Sequence, residues 1–172
     1  SSAGLRIVGV KKFSMTVAQA EEFYGPVKQA LKEKFRDIGA NRAKQVLEKE
    51  FGFEMPPDVL DALCNDLAPV FAFSQFESIV NFMTGRKPSE CTQEEKAAKG
   101  SESSLAMVYE GLNAVDKIRV ILGSTDPNKA KPGSVRREFG SNIMVNAAHA
   151  SDSPENAVRE MKIIKVEEDT IK

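Results

Sequence analysis

The residues best suited to chemistry lie in one short run, Asn146-Ala147-Ala148-His149-Ala150-Ser151-Asp152-Ser153-Pro154-Glu155, with Glu160 following. The run sets a nucleophile, an amide, hydroxyls and carboxylates side by side. Arg119, Thr125 and Arg136 stand a little upstream. Neutral imidazole attacks phosphorus without a base to deprotonate it. The covalent adduct divides one transfer into two easier steps. Phosphoryl transfer otherwise needs positioning and charge neutralisation, and guanidinium forks bind phosphate oxygens in pairs. His149 is the only histidine, so a two-histidine metal site is excluded. Each residue also has a plainer role open to it. A lone histidine can be satisfied inside a loop, and an arginine is often a solvated surface charge. Asn146 can shape a turn, and Asp152 or Ser153 can cap a helix.

A frame must carry these groups, and the chain has the material for one. Its 172 residues suffice for a single domain with a proper core. Lys and Arg total 24 against 25 Asp and Glu, with no long basic run, so nucleic acid is not an expected partner. No apolar run approaches the roughly 20 residues that cross a bilayer, so no membrane partner is expected either. No signal peptide is recognisable at the start. Cys64 and Cys91 make no disulfide framework and read as free thiols of a cytoplasmic protein. No Walker A glycine loop or protein-kinase signature is present.

Residues 5–10 read as a strand rich in β-branched side chains and ended by Lys11 and Lys12. Thr16 and Gln19 are spaced as a capping box for a helix reaching Tyr24. Pro26 opens a helical stretch over 27–52, with Leu31, Phe35, Val46 and Leu47 as candidate buried positions and Gly39 dividing it. Pro56-Pro57-Asp58 opens a helix over 59–67. Ser74 and Glu77 are spaced as a second capping box, before a helix that Gly85 ends. Residues 86–104 are polar and read as an exposed loop with a short helix at 94–99. A strand follows at 105–109, then a helix capped by Asn113 and ended by Gly123. Residues 126–137 form a long ordered loop, a kind of segment that is often functional. A strand at 143–145 leads to His149. Ser153-Pro154 starts the last helix, and the tail from Lys165 is charged.

The stretch 105–164 closely resembles the nucleoside diphosphate kinase family. The resemblance is carried by Tyr109-Glu110-Gly111-Leu112-Asn113, Arg119-Val120-Ile121-Leu122-Gly123-Ser124-Thr125-Asp126-Pro127, Lys131-Pro132-Gly133-Ser134-Val135-Arg136, Asn146-x-x-His149-x-Ser151-Asp152-Ser153 and Glu160. Order and spacing both agree. A weaker likeness covers 4–24, and 76–85 is a further remnant. The resemblance implies an α+β, ferredoxin-like sandwich with a four-stranded antiparallel sheet. On that basis 1–172 is one domain, with 25–72 an enlarged helical insertion and 86–104 an exposed loop.

The resemblance implies that His149 is the phosphorylated residue and that Glu160 orients its ring. Ser151 is matched as a group that can bond either of them. Arg119, Thr125 and Arg136 match phosphate contacts, Asn146 matches a contact to the nucleotide sugar, and Tyr24 matches the tyrosine beside the base. It further implies nucleoside di- and triphosphates as substrates, Mg²⁺ arriving with the nucleotide, and a homo-oligomer with Lys131-Pro132-Gly133 at subunit contacts. The expected activity is transfer of the γ-phosphate between nucleotides. Two departures stand out. Family members begin with a strand carrying Lys-Pro-Asp and then a helix. Neither has a counterpart here, and Ser1–Gly4 reads as the end of that helix. Met144, Val145 and Ala150 also replace customary residues. A further stretch or a second chain is expected to complete the sheet; otherwise the alternative is a catalytically silent binding or assembly module.

Overall fold

The computed structural model describes residues 4–168. The reading of residues 1–4 as a helix end falls mostly on Ser1–Ala3, outside the described residues, as does the charged tail beyond Glu168. The chain gathers into two compact units. One comprises Ser14–Glu102, and the other the flanking stretches Ser1–Phe13 and Ser103–Lys172.

In the flanking unit, β1 (Arg6–Phe13) pairs antiparallel with β2 (Ser104–Glu110). The expected stop at Lys11 and Lys12 does not occur. Lys11 pairs with Ala106, Lys12 with Leu105 and Phe13 with Ser104. The ladder uses backbone groups only, and the Lys11 ammonium donates to the Lys165 carbonyl at 2.6 Å. A register shift between Ile7 and Gly9 marks a bulge. Asn113, in the left-handed conformation, precedes α6 (Ala114–Leu122) without a side-chain cap. Within the expected loop lies a short helix, α7 (Val135–Phe139). The last helix, α8 (Pro154–Ile163), starts where Ser153-Pro154 predicts, the Ser153 hydroxyl accepting from the Asn156 amide N–H at 3.1 Å. Among the described residues of this unit, Leu122, Ala130, Ile163 and Val166 are the buried apolar side chains.

The expected strand at 143–145 is absent. The Asn142 carboxamide oxygen accepts from the backbone N–H groups of Met144 at 2.9 Å and Val145 at 2.8 Å. The Val145 carbonyl accepts from Ser141 at 2.7 Å. With its ladder groups spent locally, the segment closes into turns instead of pairing with a sheet. The described residues accordingly hold a two-stranded sheet, where the family resemblance implies four strands.

The other unit is helical. Thr16 and Gln19 make both bonds of a capping box, each 3.0 Å, and open α1 (Val17–Tyr24). Then come α2 (Val27–Lys34) and α3 (Ala40–Phe51), joined without a break through a π-turn at Phe35–Gly39. Gly39 does not divide the helix but admits the Phe35 ring, because a Cβ there would stand 2.5 Å from the ring edge. Val46, expected inside, is 65% exposed. Cys64, Ala68, Ala72, Phe76, Val80 and Thr84, spaced by four, form a buried stripe along one unbroken helix, α4 (Pro57–Thr84). The sequence predicted two helices here. Ser74 therefore sits mid-helix and caps nothing. Glu77, 6% exposed, accepts from the Ser89 backbone N–H at 2.8 Å instead. The polar stretch then carries a 3₁₀ turn at Pro88–Glu90 and α5 (Gln93–Ala97), opened by a Thr92–Glu95 capping box.

Pro69 lies inside α4 on its exposed side. It removes one backbone hydrogen bond, and an interior proline costs about 3 kcal/mol. The buried stripe on both sides of it keeps the helix whole. Pro69→Ala is therefore expected to raise stability by roughly 2 kcal/mol, after allowing for the freer unfolded chain. Urea unfolding measures this, and a lowered midpoint would contradict an unbroken α4.

Candidate functional site

His149, Glu160, Ser151, Arg119, Thr125, Arg136 and Asn146 all belong to the flanking unit. Glu160 lies on α8 and is 8% exposed. Its Oε1 stands 3.1 Å from Nε2 of His149. Its Oε2 accepts a 2.5 Å hydrogen bond from the Ser151 hydroxyl. Arg159 stands further off, with Nη2 at 3.7 Å from Oε1. Burial pushes the Glu160 carboxyl up. The hydrogen bonds from His149 and Ser151 and the charge of Arg159 outweigh it, holding the group below the ordinary glutamate value. The carboxylate therefore stays ionised and can only accept, so the ring nitrogen facing it carries the proton. The lone pair of the neutral ring is then on Nδ1. The His149 side chain is 43% exposed, open enough to meet a ligand.

The loop carrying His149 is shaped by its own polar groups. The Asn146 amide donates to the Ile143 carbonyl at 3.0 Å, the turn-forming role open to it from sequence. Ala147 has φ +73°, a left-handed conformation that costs a non-glycine residue about 1 kcal/mol. Asp152, hydrogen-bonded by the Asn156 amide, lies below the ordinary aspartate range. That bond is the chief cause, and the charge of Arg119 adds to it.

Arg136, on α7, donates from Nε at 3.1 Å and Nη2 at 2.9 Å to the Ala148 carbonyl, and from Nη1 at 2.9 Å to the Gly123 carbonyl. Burial, and then the like charge of Arg119 on α6, pull its guanidinium below the ordinary value. Two guanidiniums close enough to oppose each other favour an anion between or beside them. Gly123 permits the approach of α6 to α7. Its φ is +82°, and a Cβ there would lie 2.5 Å from the Ser134 hydroxyl. Thr125 follows in the exposed part of that connection. Arg137, its neighbour on α7, donates to the Pro127 carbonyl at 3.3 Å. Tyr24 ends α1 in the other unit, its ring centroid 4.9 Å from that of Phe23.

Arg159, Asn156 and the carbonyls of Gly123 and Ala148 were not foreseen from sequence. Arg159 precedes Glu160 directly, and nothing in the spacing marks it. The carbonyls leave no trace in a sequence. No group of three or more His, Cys, Asp or Glu among the described residues is placed to hold a metal ion. No helix among them is long and apolar enough to cross a membrane.

Comparisons with known proteins bear on this geometry. The family model described as nucleoside diphosphate kinase matches residues 75–170. The nucleoside diphosphate kinase of Campylobacter hominis is 31% identical over 160 residues, which span 93% of this chain and 74% of that protein. That of Bdellovibrio bacteriovorus is 52% identical over 59 residues, and there the chain spans 42% of the relative's length. The crystal structure of the Aquifex aeolicus nucleoside diphosphate kinase superposes with a TM-score of 0.52 at 26% identity, covering 95% of this chain and 76% of that one. An NDP kinase from Pyrobaculum aerophilum reaches 0.61 at 24% identity, covering 94% and 80%. These likenesses show the α+β, ferredoxin-like fold.

Because the Glu160 pKa is depressed on folding, its stabilising contribution is complete above the ordinary glutamate value. It is lost as pH falls through the lower folded-state value. Lowering the pH from about 6 to about 3 is thus expected to destabilise the parent more than Glu160→Gln. Urea midpoints across that range measure it, and parallel losses in both proteins would contradict the depressed carboxyl.

Proposed function

Because this chain belongs to the nucleoside diphosphate kinase family, we propose that it moves the γ-phosphate of a nucleoside triphosphate to a nucleoside diphosphate through phosphorylated His149. The observation that carries this reading is the contact of Nε2 of His149 with an ionised Glu160. Nδ1 attacks the γ-phosphorus, its bond to the β-phosphate oxygen breaks, and a diphosphate leaves. The ring gains positive charge as the N–P bond forms, and Glu160 offsets it through the Nε2–H bond. Ser151 fixes the other carboxylate oxygen, so the ring cannot easily turn. A second diphosphate then attacks the phosphohistidine and restores the free imidazole. The two half-reactions give ping-pong kinetics.

Arg119, Arg136 and Thr125 neutralise and seat the phosphates, and Asn146 reads the sugar hydroxyl. Mg²⁺ enters as the magnesium complex of the nucleotide, held by phosphates and water. Such a complex asks the protein for cations and hydroxyls facing the phosphates, which is the donor set present. The chain assembles as a homo-oligomer, with the exposed Lys131-Pro132-Gly133 loop at a subunit contact, and acts in the cytoplasm.

Incubation with γ-labelled ATP is expected to give an acid-labile phosphoenzyme, and addition of GDP to give labelled GTP. His149→Ala abolishes both, and Glu160→Gln slows transfer by on the order of 10²-fold. A folded parent that takes up no label would overturn the kinase reading and favour a silent binding or assembly module.

A further inference from the structure

Three segments of the flanking unit meet at one guanidinium. Arg136 grips the Ala148 carbonyl with two nitrogens, Nε at 3.1 Å and Nη2 at 2.9 Å, and the Gly123 carbonyl with Nη1 at 2.9 Å. Ala148 is the residue immediately before His149. Ala147, one earlier, is held at φ +73°, a conformation an alanine does not keep without outside support. The segment has no strand ladder to supply that support, since 141–146 closes on itself through Asn142 and Asn146. Gly123 ends α6 against Ser134, so its carbonyl is a fixed anchor rather than a swinging one.

We propose that Arg136 is a positioning residue for His149. By clamping the Ala148 carbonyl to the end of α6, it holds the strained backbone that aims the imidazole at Glu160. This rests on His149 being the nucleophile and adds a role distinct from contact with phosphate. The clamp needs a planar fork that reaches two carbonyls at once. Lysine keeps the charge but offers a single ammonium, so Arg136→Lys separates charge from brace.

The chain has one histidine, so an imidazole ¹⁵N NMR spectrum of the nucleotide-free protein reports His149 without overlap. Arg136→Lys is expected to shift those ring resonances. The control Arg137→Lys, which alters a neighbour bonded to Pro127 and Asn128, leaves them in place. In phosphotransfer assays Arg136→Lys lowers kcat by roughly ten- to a hundred-fold, the scale of a misaimed group, and any rise in KM from the altered phosphate contact is smaller than that fall. Adding Ala147→Gly, which removes the strain the brace must hold, restores part of the lost rate. Ring resonances identical to the parent's would overturn the brace, as would a raised KM with unchanged kcat. If the double variant shows no rescue, the coupling through Ala147 fails and the brace is overturned on that ground. Shifted resonances in a protein whose parent forms no phosphoenzyme would uphold the brace while sinking the kinase reading. Should Arg136→Lys not fold alone, the double variant decides. Glycine holds the left-handed angle without help, so the double variant is expected to fold with ring signals near the parent's, and its failure to fold would overturn the brace.

Discussion

The hydrogen bond between His149 and Glu160 assigns the proton on the only imidazole of the chain, and the rest of the site is arranged around that assignment. An ionised carboxylate cannot donate, so Nε2 must. Several groups guard the ionised state. Ser151 donates to the second oxygen, Arg159 approaches from the same helix, and the carboxylate sits in the shelter of α8. Burial alone would favour a protonated acid, whose hydroxyl could reverse the bond and move the imidazole proton to Nδ1. The donors therefore decide which ring nitrogen keeps its lone pair.

Much of this site was legible in the residues because its chemistry is local to one run. The spacing from Asn146 to Glu160 survives as a loop and one helix, and Ser153-Pro154 announces the helix start through a cap that needs only neighbours. Thr16 and Gln19 were readable for the same reason. What failed was whatever depended on distant burial. Pro69 and the Ser74–Glu77 spacing imitate a helix boundary, yet the stripe from Cys64 to Thr84 packs against other helices and overrides both. Val145 and Ile143 carry strand propensity, but the single side chain of Asn142 diverts their backbone. The residue type of Arg136 was readable, whereas its grip on two carbonyls was not, because carbonyls belong to every residue alike.

The electrostatics follow a consistent plan within the flanking unit. Arg119 and Arg136 oppose each other, and Asp152 lies within reach of Arg119 and His149. The chain as a whole carries a formal charge of −1 at pH 7. The local positive charge is thus a matter of placement rather than of total charge, and it acts mainly at short range once salt screens the field.

The left-handed Ala147 has a consequence for how this motif can be transplanted or trimmed. Its conformation is imposed from outside the run, by a side chain on α7 and by the end of α6. The string from Asn146 to Glu160 is therefore not a portable cassette. Grafted onto another scaffold or excised as a peptide, it would keep every one of its residues and relax to a backbone that points the ring elsewhere. The inheritable unit of this chemistry is the three-segment clasp, and a homologue that keeps the histidine while losing the clasp has kept the letter of the site without its shape.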